Sequence, residues 1–368
     1  MKISAAVTRG KGAPFVIEEL ELEEPRMGEI IVRMAAVGIC HSDLSARDQY
    51  LPLPLPMVLG HEGAGVVEAV GPGVSSLEVG DHVVLSRLTC GVCAACKSGA
   101  AAPCSKQAML NFGGGRPDGS TGLSRKGETI HGQFFGQSSF ATHALAHERN
   151  ATRIDPDLDL TLAPAFSCGV LTGAGTVING LRPAIGSSIV VFGSGTVGLA
   201  AVLAARAGGC TTIIAVDRFQ SRLDLAAELG ATHTILAGDE PLPAAVRAIV
   251  PDGVQFSVEA TGVPAVVRAA VESLAPGGEC AILGVGPADQ DISLNHMQLA
   301  FSGIAVRGYP TGLSEPDIVI PHLVELYLQG RFPVDRLISR FPFGDIEKAV
   351  RATEEGSAIK PILVFPEP

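Results

Sequence analysis

Cys90, Cys93, Cys96 and Cys104 fall within fifteen residues, in the run CGVCAACKSGAAAPC. Four thiolates at spacings of x2, x2 and x7 can surround one tetrahedral Zn²⁺ without a long excursion of the chain. Such a closed site would hold a lobe together and leave no position for a reactant. Two local disulfides, or four free thiols in an alanine-rich loop, are the other readings of the same residues. The N-terminal run MKISAAVTRGKG contains no apolar signal segment, so a cytoplasmic location is expected, where such spacing more often marks metal than disulfides.

A second set is scattered along the chain: Cys40 in GICHSD, His61 in GHEGAG and Cys168 in FSCGV. Two sulfurs and one nitrogen leave a fourth zinc position for water or reactant, the arrangement of a catalytic metal. Each residue alone reads more often as a packed core side chain than as a ligand. Their neighbours strengthen the joint reading, because Asp43 and Glu62 are carboxylates placed to orient or tune those ligands. Cys210 and Cys280 remain, and both read as small buried residues, one entering an apolar strand and one inside another.

The segment SSIVVFGSGTVGLAAVLAARAGGCTTIIAVD carries a third signal. Ile189–Phe192 reads as a buried parallel strand, Gly193, Gly195 and Gly198 form G-x-G-x-x-G, and a helix follows to Ala207. The strand Thr211–Val216 then ends at Asp217, placed to hold the ribose hydroxyls of a dinucleotide while the helix N-terminus, with Thr196 and Val197, takes the pyrophosphate. An acid there repels a 2′-phosphate and favours NAD over NADP, although Arg218 could attract one. Ile189–Ala205 carries no charge, yet it is short for a membrane span and its glycines would spoil the helix. Further on, Ser221–Asp224 reads as a capping box, Gly230 as a helix stop, and strand, helix and strand follow at Val254–Ala260, Pro264–Leu274 and Glu279–Val285.

The chain has 368 residues, 46% hydrophobic and 18% charged, with a formal net charge of -11. That is room for two domains with sizeable cores, and it describes a compact enzyme rather than a disordered or fibrous chain. With 38 acids against 27 bases and no basic cluster, neither nucleic acid nor an anionic membrane is an expected partner. No repeat is visible. Through residue 165, short apolar runs such as EIIVRMAAV, GVVEAV and DHVVL alternate with Gly/Pro turns, an all-β pattern. Between Ser105 and Phe140 the chain is Gly-rich and hydrophilic; a long loop is expected, bordering the active site or a mere solvated excursion.

These motifs resemble the zinc-containing, medium-chain alcohol dehydrogenases along nearly the whole chain. The zinc signature stands as GHEGAGVVEAVGPGV from Gly60, and FFGQSSFATHALA, SCGVLTGAGTVIN, VDRFQSRLDLAAELGATH and LYLQGRFPVDRLISRFPFGDIEKA are similar to the aryl-alcohol (benzyl alcohol) branch. The resemblance implies an α/β chain: a GroES-like β-rich catalytic domain over 1–169 and 310–368, a Rossmann doubly wound parallel-sheet domain over 170–309, and the active site in the cleft between them. It implies a catalytic zinc on Cys40, His61 and Cys168, a structural zinc on Cys90, Cys93, Cys96 and Cys104, Asp43 bonded to His61, and Glu62 behind the metal. Ser42 matches the hydroxyl that passes the alcohol proton outward. The outer histidine of some relatives is replaced by Ser45, which leaves His41 as a relay base, a cofactor-phosphate contact or a surface residue.

The resemblance further implies Arg222 as a ribose contact, Lys360 as a phosphate contact and Val285 beside nicotinamide. Tyr50 and Phe134, with the neighbouring Phe135, would form an apolar substrate pocket suited to benzyl, cinnamyl or allylic alcohols. The expected activity is reversible, NAD-dependent oxidation of such a primary alcohol to its aldehyde by a homodimer or homotetramer joined at the Rossmann sheet edge, with Glu279–Val285 a plausible edge strand. One alternative is oxidation of a formaldehyde–thiol adduct, which needs basic residues such as Arg116, Arg125 and Lys126. The other is a dinucleotide-binding protein without catalysis, both metals being structural.

Overall fold

The structure is a computed structural model and describes residues 1–287 and 290–366. The chain divides into two compact units. One comprises Met1–Cys168, Glu315–Val324 and the chain from Val334 onward; the other comprises Gly169–Ser314 and Glu325–Pro333. The second boundary therefore lies at Ser314/Glu315, later than the expected 309/310, and Glu325–Pro333 is grouped with the second unit and not the first.

The first unit is built on the strand Glu29–Gly38, whose residues are buried almost throughout. One of its edges pairs with Glu62–Val70, and the other with His143–His147 along its first half and Lys360–Val364 along its second. Neighbours on both edges and apolar layers on both faces explain why EIIVRMAAVG reads as a nearly continuous hydrophobic run. His82–Leu85, Ala151–Arg153 and Ile338–Pro342 complete this seven-stranded sheet. A five-stranded sheet runs in the order Met57–Val58, Lys2–Thr8, Val16–Leu22, Leu123–Arg125, Glu128–Ile130. Val7, Leu20, Ile30, Val32, Val37, Leu145 and Leu363 belong to the common core.

The long loop expected between Ser105 and Phe140 is instead structured. It contains the helix Gln107–Phe112 and the hairpin Leu123–Arg125/Glu128–Ile130, which pairs with Val16–Leu22 and widens the smaller sheet. Its glycines serve tight turns, Gly127 with φ +84° between the two hairpin strands being one. Its polar residues are also used. Arg116, 6% exposed, holds both oxygens of buried Glu29 at 2.7 and 3.0 Å and reaches Glu23 at 2.8 Å.

The second unit is a six-stranded parallel sheet in the order His233–Leu236, Thr212–Asp217, Ser188–Phe192, Val254–Glu259, Leu274–Ile282, Ala305–Gly308. Strand order reverses between Ser188–Phe192 and Val254–Glu259, the switch point beside which doubly wound sheets bind their ligands. Leu274–Ile282 is an inner strand; Ala305–Gly308 forms the edge that was expected near Glu279–Val285. The capping box at Ser221 is not formed, because the helix Gln220–Leu229 is capped at Phe219, two residues earlier, and Asp224 accepts from Gln220 Nε2 at 2.7 Å. Gly230 does end that helix, at φ +126°. Cys210 lies in the turn before Thr212–Asp217, Cys280 lies within its strand, and both are buried. Among the described residues no helix is long and apolar enough to cross a membrane.

Arg116→Met leaves the Glu29 carboxylate buried without its partner and is expected to lower the unfolding free energy by about 3 kcal/mol in urea titrations. Removing the exposed Arg340–Asp159 pair by Arg340→Met is expected to change it by less than about 1 kcal/mol.

Candidate metal centres and dinucleotide loop

Cys40 precedes the short helix His41–Arg47, and the helix turns its third residue, Asp43, back toward the strand end. Asp43 is fully buried. Its Oδ2 accepts from Cys40 N at 2.9 Å, and its Oδ1 accepts from Gly60 N at 3.1 Å and lies 3.0 Å from His61 Nδ1. With Nδ1–H directed at a carboxylate, Nε2 is the nitrogen left for a metal, which would take the place of a proton there. Nε2 is buried without a hydrogen-bond partner, and the ligand atoms of Cys40, His61, Glu62 and Cys168 lie within 4.8 Å of one another. An orphaned imidazole nitrogen beside two thiols fits a zinc ion and has no other visible use.

The charges fit as well. Cys40 is held well below the ordinary thiol range by its bond with Cys168, aided by His61 and Lys360, while that same bond and burial push Cys168 up. Burial alone would lower His61, but the Asp43 charge and hydrogen bond prevail and raise it. Behind them, Lys360 Nζ sits 2.8 and 2.5 Å from the Glu62 oxygens and 3.3 Å from the Ile39 carbonyl. Burial pushes Glu62 up and would lower Lys360, yet the Glu62 charge holds Lys360 above its ordinary value. We read the pair as ammonium and carboxylate, since all three N–H groups find acceptors and both carboxylate oxygens accept. Lys360 is thus 1% exposed with its donors spent, which corrects its expected role as a phosphate contact.

The aromatic residues also divide differently from expectation. Tyr50 is 61% exposed and Phe134 is fully buried, edge-on to His61 with ring centroids 5.4 Å apart. Phe135 is half-buried and stacks on the His61 ring at 4.4 Å and 22°. Phe134 therefore supports the histidine from the core, and Phe135 is the aromatic residue available beside the donor set. Ser42 is half-buried with Oγ 3.9 Å from Cys40 Sγ, His41 is exposed, and Ser45 is half-buried. Gln137 and Ser167 both bond the His61 carbonyl and were not anticipated from the sequence; the polar run QSS inside the apolar FFGQSSFA was the signal for Gln137, and the hydroxyl directly before Cys168 in FSCGV the signal for Ser167.

In the cysteine lobe, Cys93 Sγ and Cys96 Sγ are 3.5 Å apart, and Cys90 Sγ and Cys96 Sγ 3.8 Å. These separations exceed a disulfide bond of about 2.05 Å and suit the edge of a tetrahedron with bonds of about 2.3 Å to zinc. Backbone N–H groups of Cys93 and Cys90 point to the sulfurs of Cys90 and Cys104, at 3.3 and 3.4 Å. Hydrogen bonds from the Cys96 and Ser105 backbone hold Cys93 down at about 5, and burial with the neighbouring sulfurs pushes Cys96 up to about 12.

In the second unit, Gly195 caps the helix Thr196–Ala207, so Thr196 and Val197 form its first turn. A Cβ on Gly198 would stand 1.8 Å from the Gly193 carbonyl, so only glycine allows the helix to approach the strand so closely. Asp217 ends its strand 7% exposed and accepts from Ser194 N at 2.6 Å and Phe219 N at 3.0 Å, with Arg222 at 4.0 Å. Arg218 and Arg222 each lie over the Phe219 ring, at 4.8 and 4.9 Å. Val285 is 88% exposed. Buried Glu259, which the sequence reading passed over, accepts from Thr261 N at 2.6 Å and Gly262 N at 3.0 Å at the switch point.

Zinc measured after chain-wise substitution separates the two donor sets. Cys168→Ser is expected to lower bound zinc by about one ion per chain with little change in the unfolding midpoint, because its lobe keeps a full apolar core. Cys93→Ser is expected to lower zinc equally and the midpoint by several degrees, since a closed site contributes to folding directly.

Residues 26–156 match the family of alcohol dehydrogenase GroES-like domains, and residues 196–326 match the family of zinc-binding dehydrogenases. The chain is 42% identical to a geraniol dehydrogenase from Castellaniella defragrans, over 98% of this chain and 97% of that protein. It superposes on the crystal structure of an alcohol dehydrogenase zinc-binding domain protein from Burkholderia ambifaria with a TM-score of 0.97 at 47% identity, and on benzyl alcohol dehydrogenase from Acinetobacter calcoaceticus with 0.96 at 41% identity. Both superpositions cover 100% of each chain. Likeness of this degree over the full length is common descent, and the chain belongs to the zinc-containing medium-chain alcohol dehydrogenases, enzymes that pair zinc with a nicotinamide dinucleotide and act on small-molecule alcohols.

Proposed function

We propose that this enzyme oxidises aromatic or allylic primary alcohols to aldehydes, reversibly, with NAD as hydride acceptor and two zinc ions per chain. The observation that carries the substrate class is Phe135 stacked face-on against His61: the aromatic wall begins at the ligand set itself. Similarity at comparable levels to a geraniol dehydrogenase and a benzyl alcohol dehydrogenase supports the same class. When bound, zinc supplies Lewis acidity toward an alcohol oxygen and nicotinamide supplies the hydride acceptor.

The chain's own residues do the remaining work. Cys40, His61 and Cys168 would hold the catalytic metal, with His61 oriented by Asp43 and the Glu62–Lys360 pair balancing charge beneath it. Cys90, Cys93, Cys96 and Cys104 would hold the structural metal. Ser42, beside Cys40 and half-buried, would accept the hydroxyl proton and pass it toward solvent, and exposed His41 would receive it or meet a cofactor phosphate. Asp217 accepts backbone donors on both oxygens yet keeps lone pairs for ribose hydroxyls, and its charge opposes a 2′-phosphate. Thr196, Val197 and the three fingerprint glycines, with Arg218, Arg222 and Val285, remain the proposed cofactor surface. The edge strand Ala305–Gly308, together with the exposed Phe301 and Met297 of the helix His296–Ser302 that precedes it in the chain, supports a homodimer or homotetramer joined at this sheet edge.

The thiol-adduct alternative is less well supported, because Arg116 is buried against Glu29 and Arg125 lies 3.2 Å from Glu18. Those guanidinium groups are engaged by the protein's own carboxylates.

The test is absorbance of reduced nicotinamide with zinc-assayed protein, NAD or NADP, and benzyl alcohol, geraniol, ethanol or a formaldehyde–thiol adduct. Fast NAD reduction with benzyl alcohol or geraniol is expected; silence on both alcohols with zinc present overturns the substrate class. Asp217→Ala is expected to lower kcat/KM for NAD by roughly 10- to 100-fold, the loss of charge-assisted hydrogen bonds worth about 1.5–3 kcal/mol, and to narrow the preference over NADP.

A further inference from the structure

His61 is oriented at its ring by Asp43, but its backbone is held by a residue the chemistry does not use. Gln137 is 2% exposed. Its Nε2 donates to the carbonyls of His61 at 2.9 Å and Ser86 at 3.0 Å, while its Oε1 accepts from Gly63 N at 3.1 Å and from Ser139 Oγ. A primary amide has two donors and two acceptor positions, and here every one is used. The bonds to His61 and Gly63 bracket Glu62 and fix the backbone on both sides of the turn that enters Glu62–Val70.

The same carbonyl of His61 accepts from Ser167 Oγ at 3.1 Å, and Ser167 is the residue before Cys168. One oxygen thus joins the segment that carries Cys168 to the segment 133–139. That segment has an improbable backbone: Gln133, Phe135 and Ser138 have φ of 58°, 53° and 56°, a region that non-glycine residues rarely occupy. Phe135, stacked on the His61 ring, is one of them. The side chains of Gln137 and Ser138 hold this path, Ser138 Oγ donating to Val58 O at 2.7 Å and accepting from Phe134 N at 2.9 Å.

We propose that Gln137 is a positioning residue for the catalytic metal site: through the His61 carbonyl and the Gly63 N–H it aims Nε2 toward Cys40 and Cys168 and seats Phe135 on the imidazole. The proposal rests on the reading that Cys40, His61 and Cys168 hold the zinc used in alcohol oxidation.

The experiment uses the zinc-loaded enzyme and compares Gln137→Met, which keeps the side-chain length and removes all four bonds, with Asn111→Leu. Asn111 is a comparable buried amide, bonded to Leu88 N, Leu88 O and Gln107 O and not to the His61 backbone. Zinc release to excess chelator, the unfolding midpoint, and kcat and KM for NAD are measured for each. Gln137→Met is expected to release one of its two zincs about 10-fold faster or more, with kcat reduced by a similar factor and KM for NAD little changed. Asn111→Leu is expected to lower the midpoint without accelerating that release. Release from Gln137→Met at the wild-type rate, or in the same proportion as Asn111→Leu, overturns the proposal. Gln137→Glu, which keeps the acceptor toward Gly63, is read by the same criteria where the Met variant does not fold. Wild-type enzyme that binds no zinc at Cys40, His61 and Cys168 rejects the functional reading itself, and the positioning role with it.

Discussion

Asp43 is a carboxylate with no exposed surface, set at the first turn of a helix and surrounded by a packed core. A buried carboxylate is costly unless its oxygens are hydrogen-bonded. The groups that satisfy it are Cys40 N, Gly60 N and the His61 ring, so its need for partners draws the end of one strand and the approach to the next into a single geometry. That geometry decides the histidine tautomer and leaves Nε2 facing the thiols. The two sulfurs, the Glu62–Lys360 pair and the aromatic rings on the imidazole are all placed relative to that one satisfied acid.

Charge then determines what the cluster can hold. As thiolates, Cys40 and Cys168 would join Asp43 and Glu62 in a buried pocket where Lys360 is the nearby ammonium. Anions outnumber cations, and proton sharing between the sulfurs together with protonation of His61 is the relief available to the protein alone. A divalent cation offsets the excess and accepts the orphaned nitrogen as well. The proposed chemistry at an alcohol oxygen would draw on that balance, with the Ser42 hydroxyl 3.9 Å from Cys40 Sγ.

Much of this was legible in the chain. Cysteine spacing, the glycine fingerprint followed by Asp217, and the carboxylate neighbours of Cys40 and His61 are local patterns, and local patterns survive folding unchanged. What escaped depends on distant pairing or on unusual backbone. Lys360 meets Glu62 across 298 residues because the last strand happens to lie beside Glu29–Gly38. Phe134 and Phe135, both expected in the pocket, part into one buried and one half-buried ring because the backbone has positive φ at Gln133 and Phe135, which the residue pattern does not announce. The hydrophilic stretch after Ser105 read as a loop because its polar side chains are satisfied internally, Arg116 by Glu29 and Asn111 by the Leu88 backbone, which composition does not reveal. The sheet edge escaped because AVRG is too short and too exposed to announce a strand.

The second unit repeats the device of the first. Asp217 holds Ser194 N and Phe219 N, and Glu259 holds Thr261 N and Gly262 N, as Asp43 holds Cys40 N and Gly60 N. All three acids sit where glycine-containing loops pass a strand or helix end. Such loops are needed for close approach, since any Cβ at Gly198 would strike the Gly193 carbonyl, but they lack side chains through which packing could fix them. Buried carboxylates accept the loops' backbone N–H groups instead and so supply the rigidity that packing cannot. For Asp217 the same oxygens that fix the glycine turn would, in the proposed function, also receive the ribose, at 7% exposure. On that proposal loop geometry and cofactor choice are coupled through one side chain, and a change made there to alter specificity would also loosen the turn.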